Sequence, residues 1–467
     1  MSKPNAVRIA TTGARLVAGA VVSAACIAGA ILAIPAAWPT VTHAPARATI
    51  TPVAGDTLLT CAGPFLALGR DASQASQLTV AGTPQLLSGA ASGSSLTSAN
   101  IALTGIADAS AAPMFRAQPN GSAPAQVAAA ESTSISADDL SGFAASACRP
   151  PSMESWIVGG AGTTGSNDIL SVANPGAVAA TVTFTEYGSQ GGTPHTSEIV
   201  VPAGTQSSVP LAAGSAGEPS PVIEVTSSGA PVRAVLQSSL IRTLDPVGID
   251  TQDAIPQPRT AQSLLGVRAL VPSTDDDHAS TAVRLLAPAK DSTVMLQPRN
   301  AATGATVGPA KKVQLIAGQV GSVNFSALKP GLYAIDVTST TPVVAAAWQT
   351  TGLGKGSDFA WMTPAPDITG ATTFAVAAGP APQLHVQNAS AQATTVELAP
   401  VDGGKTQSIA LPAGGAATVT LTASTVYSLS APSAVRAAVT YLDTGKLAGY
   451  PVWPTDAAAA PVDVYQR

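Results

Sequence analysis

The chain has 467 residues, enough for several domains, and its charged residues amount to 10% and its aromatics to 4%. The formal net charge of −5 is spread thinly. No basic stripe is present, so a nucleic-acid partner is not expected.

The N-terminus opens with a short basic tail over residues 1–15, carrying Lys3, Arg8 and Arg15. An apolar stretch without charge then runs from Leu16 to Ala37, 22 residues in all. That length crosses a bilayer as a helix, so a transmembrane anchor is expected over 16–38. Positive charge on its N-terminal side holds that end in the cytoplasm and sends the bulk of the chain outside, as a single-pass membrane protein. The alternative is a cleaved signal peptide, with Thr42-His43-Ala44 or Pro45 to Ala48 as the cleavage context, and a secreted product. Cys26 sits inside the apolar run and lacks the context of a lipidation site.

Residues 49–153 read as an irregular β-rich module. Strand-like pieces start at Leu58, Gln77 and Asn100, with Ser-, Ala- and Gly-rich stretches between them. The Ala- and Ser-rich segment 115–145 is expected to be loosely ordered. The exported part holds two cysteines, Cys61 and Cys148. An even count in an oxidising compartment points to one disulfide, stapling this module to the start of the region that follows.

From there a pattern occurs three times. Its core is Ala203-Gly204, Ala317-Gly318 and Ala413-Gly414, each flanked by apolar residues and followed by a Ser/Thr/Val strand. A strand and turn precede it at similar distances: Asn174 to Gly204 is 30 residues, Pro288 to Gly318 is 30 and Asn388 to Gly414 is 26. Strands starting at Val222, Tyr333 and Tyr427 follow it. The repeats therefore span 154–261, 262–369 and 370–467. Thr181 to Tyr187 alternates apolar and polar residues, the period of a half-buried strand. About seven short strands per repeat suit an immunoglobulin-like sandwich better than a solenoid or propeller. The expected fold is all-β: tandem immunoglobulin-like β-sandwich repeats behind one N-terminal transmembrane helix. Short Pro-containing linkers near Ile255 and Thr363 suggest a semi-rigid rod.

Chemistry is sparse. His43, His195, His278 and His385 fall in four different segments and none recurs between repeats. Ser326 and Lys329 have a Ser-x-x-Lys spacing, but in a turn between strands rather than at a helix start. The run Asp275 to His278 lacks the spaced ligands of a calcium loop and reads as a solvated loop. Asp250 and Asp358 occupy matching places near their repeat ends, with Tyr450 in the third copy, and read as turn caps. No catalytic residue, metal site or cofactor is expected. Trp361 and Trp453 take similar places in the closing segments; they read as filling the sandwich core or a domain joint, and otherwise are the candidate aromatics of a ligand face.

Three features together resemble a known family: Cys61-Ala62-Gly63-Pro64, Cys148 ahead of Trp156 to Gly160, and the turn from Leu170 to Gly176. The chain is similar to actinobacterial secreted proteins catalogued as domain of unknown function 5719, over most of its length after residue 50. The resemblance implies an envelope location, a β-rich exterior and gene neighbourhoods with cell-wall glycosyltransferases. It supplies no catalytic residues. The middle repeat departs from it, with Ala287-Pro288-Ala289 in place of Asn-Pro-Gly. The expected role is a non-enzymatic envelope scaffold, spacer or docking surface, held to the cytoplasmic membrane by its helix and partnered by an envelope protein complex or a cell-wall polymer. The alternative is a cell-wall carbohydrate-binding protein.

Overall fold

The computed structural model describes residues 5–33, 47–50, 54–70, 76–106, 111–121, 123–270, 281–454 and 462–465. His43, the two cleavage contexts save Arg47 and Ala48, and Asp275 to His278 lie outside them. The chain forms two compact units, one of residues 1–52 with 460–467 and one of residues 53–459. In the first, the helix Asn5–Ala33 carries an apolar span, Gly13–Leu32, of 20 residues, long enough to cross a membrane. The same unit pairs strand Arg47–Ile50 antiparallel with Val462–Tyr465.

The second unit is all-β. Its middle repeat has seven strands: Arg259–Ala269, Ala282–Leu286, Ser292–Asn300, Lys311–Leu315, Val320–Asn324, Gly331–Thr350 and Phe359–Met362. The sixth strand, 20 residues long, serves both sheets of the sandwich. Its first half pairs with the first and third strands. Its second half pairs with the second and seventh. The fourth and fifth strands complete the two sheets.

The third repeat has the same plan, from Ile368–Val376 to Lys446–Pro451, with a shared sixth strand Thr425–Asp443. In the first repeat, from Glu154–Ile157 to Asp245–Asp253, the sixth strand is broken into Val222–Ser228 and Arg233–Arg242. A proline marks the crossover each time: Pro231, Pro342 and Pro432. Proline cannot donate to a ladder, so it falls where the chain leaves one sheet for the other.

The repeated sequence core now has a physical account. Gly204, Gly318 and Gly414 have φ of 66°, 72° and 65°. The residue after each glycine donates its amide to the residue two before it: Thr205 to Pro202, Gln319 to Ile316 and Gly415 to Pro412. This is a turn whose third position requires a left-handed residue, which glycine supplies without a Cβ penalty. The upstream asparagine locks the turn. Asn174 is fully buried and its side-chain amide donates to the carbonyls of Val178 (2.8 Å) and Val201 (3.0 Å), while its Oδ1 accepts from Gly176. Asn388 repeats this with Gln392, Leu411, Pro412 and Ser390. The middle repeat lacks the asparagine, and Asp291 accepts the Ala317 amide instead, at 2.8 Å.

The segment before the repeats is not separate from them. Strands Thr97–Leu103, Ala112–Ala117 and Thr57–Thr60 extend one sheet of the first repeat, through a parallel pairing of Thr205 and Gln206 with Ala102 and Leu103. A three-stranded sheet, Gln85–Ala90, Val127–Ser136 and Ser141–Ala147, takes up about half of the segment expected to be loosely ordered. Its alanines explain the difference. Ala128, Ala130 and Ala145 are buried in one core with Phe374, Leu384 and Tyr441 of the third repeat, where small side chains let the sheets approach closely.

That shared core closes a ring. Module residues Phe65 and Ala144 pack with Ile249 of the first repeat. Trp156 and Ile255 of the first repeat pack with Phe359 and Trp361 of the second. Ala438 of the third repeat joins the core of the second. The rod expected from the linkers is thereby overturned: each joint buries apolar surface, and the last repeat returns to the first module.

Asn174→Ala strands one buried carbonyl, that of Val201, and one part-buried carbonyl, that of Val178, and is expected to lower stability by about 1–3 kcal/mol. Asp291→Ala, at an exposed turn, should cost under about 1 kcal/mol. Urea denaturation of the two variants checks the contrast.

Candidate functional site

Three places concentrate polar and aromatic side chains. The first is the centre of the ring. Asp358 is fully buried, and its carboxylate accepts amides from three other units: Phe143 (2.9 Å), Ile249 (3.0 Å) and Leu447 (2.8 Å). Burial raises its carboxyl well above the ordinary range, against the pull of these amides and of Phe359. Asp250 accepts the Trp361 amide at 2.8 Å, another contact between repeats, and burial pushes its carboxyl up to about 8.

These two aspartates are not equivalent turn caps. Strand register places Gln252, Met362 and Tyr450 opposite Leu236, Ala347 and Val439, which pair in turn with Leu170, Val283 and Leu384. On those rungs Asp250 lies two residues before Gln252, and Asp358 four before Met362. A bulge between Ser239 and Ile241, together with unequal hairpin loops, hides the offset from sequence spacing. Tyr450 binds within its own repeat, donating to Ala375 and accepting from Ala377.

The second place lies beside the disulfide. Cys61 and Cys148 are bonded, 87 residues apart in sequence, within a buried cluster of the first module. Nearby, Glu131 is buried and accepts the Ala62 amide at 2.6 Å; burial pushes it up to about 7. The guanidinium of Arg149 lies 3.4 Å over the ring of Trp453 and donates to the Ala254 carbonyl. A cavity of about 260 Å³ opens between the module and the third repeat here, with Trp453 half-buried in its wall.

The third place is a larger cleft of about 580 Å³ between the first and second repeats. Its floor is aromatic. Trp348 stacks on Phe359 at 4.7 Å and meets Trp361 edge-on at 5.4 Å. The guanidinium of Arg284 sits 4.7 Å over Trp361 and donates to the carbonyls of Gly160 and Pro221. Burial pulls Arg284 down to about 10. Asp168 accepts the Ala161 amide at 2.6 Å and is pushed up to about 6 by burial. Serine, threonine and asparagine residues share the rest of the lining with Leu240, Ile241, Leu353 and Arg242.

Trp361 and Trp453 are therefore not brought together. Trp361 is 6% exposed and pairs in register with Trp348; Trp453 lies beyond the end of its closing strand. Trp348, which sequence reasoning did not single out, presents more ring to the cleft than Trp361 does. Its place opposite Trp361 on the shared sixth strand becomes visible through the pairing. The described histidines are also apart: His195 is exposed beside Glu186, and His385 is buried between Thr418 and Thr440, where burial lowers it to about 3.

Fold and sites together define an all-β protein of linked sandwiches carrying an apolar N-terminal helix and a disulfide. The chain belongs to the family of unknown function DUF5719, which matches residues 104–432. No curated protein matches it. Among solved structures it is similar to the crystal structure of chicken CNTN1 FN1-FN3 domains, at 10% identity over 73% of this chain and 94% of that one, with a TM-score of 0.10; a likeness of that size carries no argument.

Glu131, Asp168 and Asp250 share one sign of pH dependence. Each holds a proton in the fold that the unfolded chain releases above its ordinary carboxyl range. Their stabilisation is fully present below about pH 4, falls as pH rises from there, and is lost once pH has passed about 6 to 8. Asp250→Asn keeps an acceptor for the Trp361 amide and removes the titration. Its stability profile should fall less steeply between about pH 4 and 8, as followed by thermal unfolding across pH.

Proposed function

We propose that this protein is a non-enzymatic, membrane-anchored scaffold or docking subunit on the extracytoplasmic side of the cell envelope. The observation that carries the reading is how its buried ionisable groups are used. Asp358 and Asp250 accept backbone amides across joints between units, and Arg284 donates to carbonyls of the neighbouring repeat. Groups that could titrate during catalysis are instead engaged in holding the sandwiches in a fixed ring. A rigid body of this kind offers a constant outer surface to a partner at low ordering cost. The apolar helix supports tethering to the membrane, and the disulfide supports an oxidising compartment. A helix that acts as a signal peptide would release the same body as a secreted protein.

Proximity labelling in living cells, with an export-competent labelling enzyme fused to the C-terminus, tests the reading. Enrichment of one envelope complex is the expected result. Diffuse labelling of envelope proteins, or turnover of a cell-wall substrate by the purified protein, contradicts it.

A further inference from the structure

We infer that the cleft between the first and second repeats is a binding site for a short neutral saccharide segment. Its size comes first: about 580 Å³ falls in the range of built small-ligand sites and well above the space of a few waters. Its chemistry comes second. The walls present Ser166, Ser322 and Asn324 beside Leu240, Ile241 and Leu353. A serine hydroxyl offers one donor and two acceptors, and an amide offers both kinds, so this wall can answer sugar hydroxyls in either sense.

The floor supplies the other half of sugar recognition. Trp348 is half-buried and held by Phe359 and Trp361, so its ring is an apolar plate already fixed in place. The C–H face of a sugar ring can lie on such a plate with little loss of side-chain freedom. A sugar ring can use the plate and the polar wall at once, which neither a wholly apolar nor a wholly polar ligand can.

Charge argues against an anionic ligand. Asp168 and Arg284, the buried charged pair of the cleft, have opposite signs and are already bonded to Ala161, Gly160 and Pro221. Arg242 at the rim also has a partner. No uncompensated field remains to select an anion.

This inference is independent of the scaffold reading, since a protein partner seated elsewhere leaves the cleft intact. The test is retention of the full-length protein, in a detergent without a sugar headgroup, on an array of neutral oligosaccharides: glucans, galactans, mannans, arabinans and N-acetylated amino-sugar oligomers. Tryptophan fluorescence titration then follows the strongest hit. Binding is expected to weaken by about tenfold or more in Trp348→Ala. Ser322→Arg, at an exposed position on the wall, should do the same while leaving the core untouched. Failure of every array member to bind overturns the inference. So does binding that Ser322→Arg leaves unchanged in a variant folded by circular dichroism, or a signal confined to acidic glycans and abolished by high salt.

Discussion

One buried carboxylate sets the arrangement of this protein. A carboxylate removed from water must be fully hydrogen-bonded, because a missing partner in a low-dielectric interior is expensive. Asp358 belongs to the second repeat, yet its partners come from the module, the first repeat and the third repeat. It is satisfied only when all of these meet. The backbone must come very close to allow it. Gly142 and Gly248 have φ of 145° and 132°, and a Cβ on either would lie 2.6 Å from Asp358 Oδ1. Glycine is required at both, for its conformation and for its missing side chain.

The rest follows from that meeting point. Closing the ring brings the first and second repeats side by side, and the cleft is the space left between them. Its floor is rigid because Trp361 is anchored through its own amide to Asp250 on the neighbouring repeat. Its roof is fixed by Arg284, whose guanidinium reaches across to Gly160 and Pro221. The same buried groups that join the units therefore also shape the place where a ligand can sit.

Much of each repeat was legible in the sequence. The Ala-Gly turns, the Asn-Pro-Gly turns and the period of Thr181 to Tyr187 report local backbone demands, and local demands leave local marks. The family likewise showed itself in turn motifs. The assembly of the units left no such mark. Nothing near Asp358 announces that its partners lie at Phe143, Ile249 and Leu447, because each contributes a backbone amide that any residue would carry. Linker prolines suggested extension, but the shared apolar cores outweigh the stiffness of a few residues. The matching of Trp361 with Trp453 failed for a related reason: the hairpin loops before their two closing strands differ in length, so spacing in sequence misplaces the rungs. Trp348 was missed because it looks like any apolar residue on a strand until its neighbour across the ladder is known.

Small-angle X-ray scattering of residues 53–459 tests the closed ring most directly. A compact body of that length has a radius of gyration of about 22 Å. The account predicts a value close to this and a single compact distance distribution. An extended row of sandwiches would give roughly twice that radius and a long tail in the distribution, and that result would contradict it.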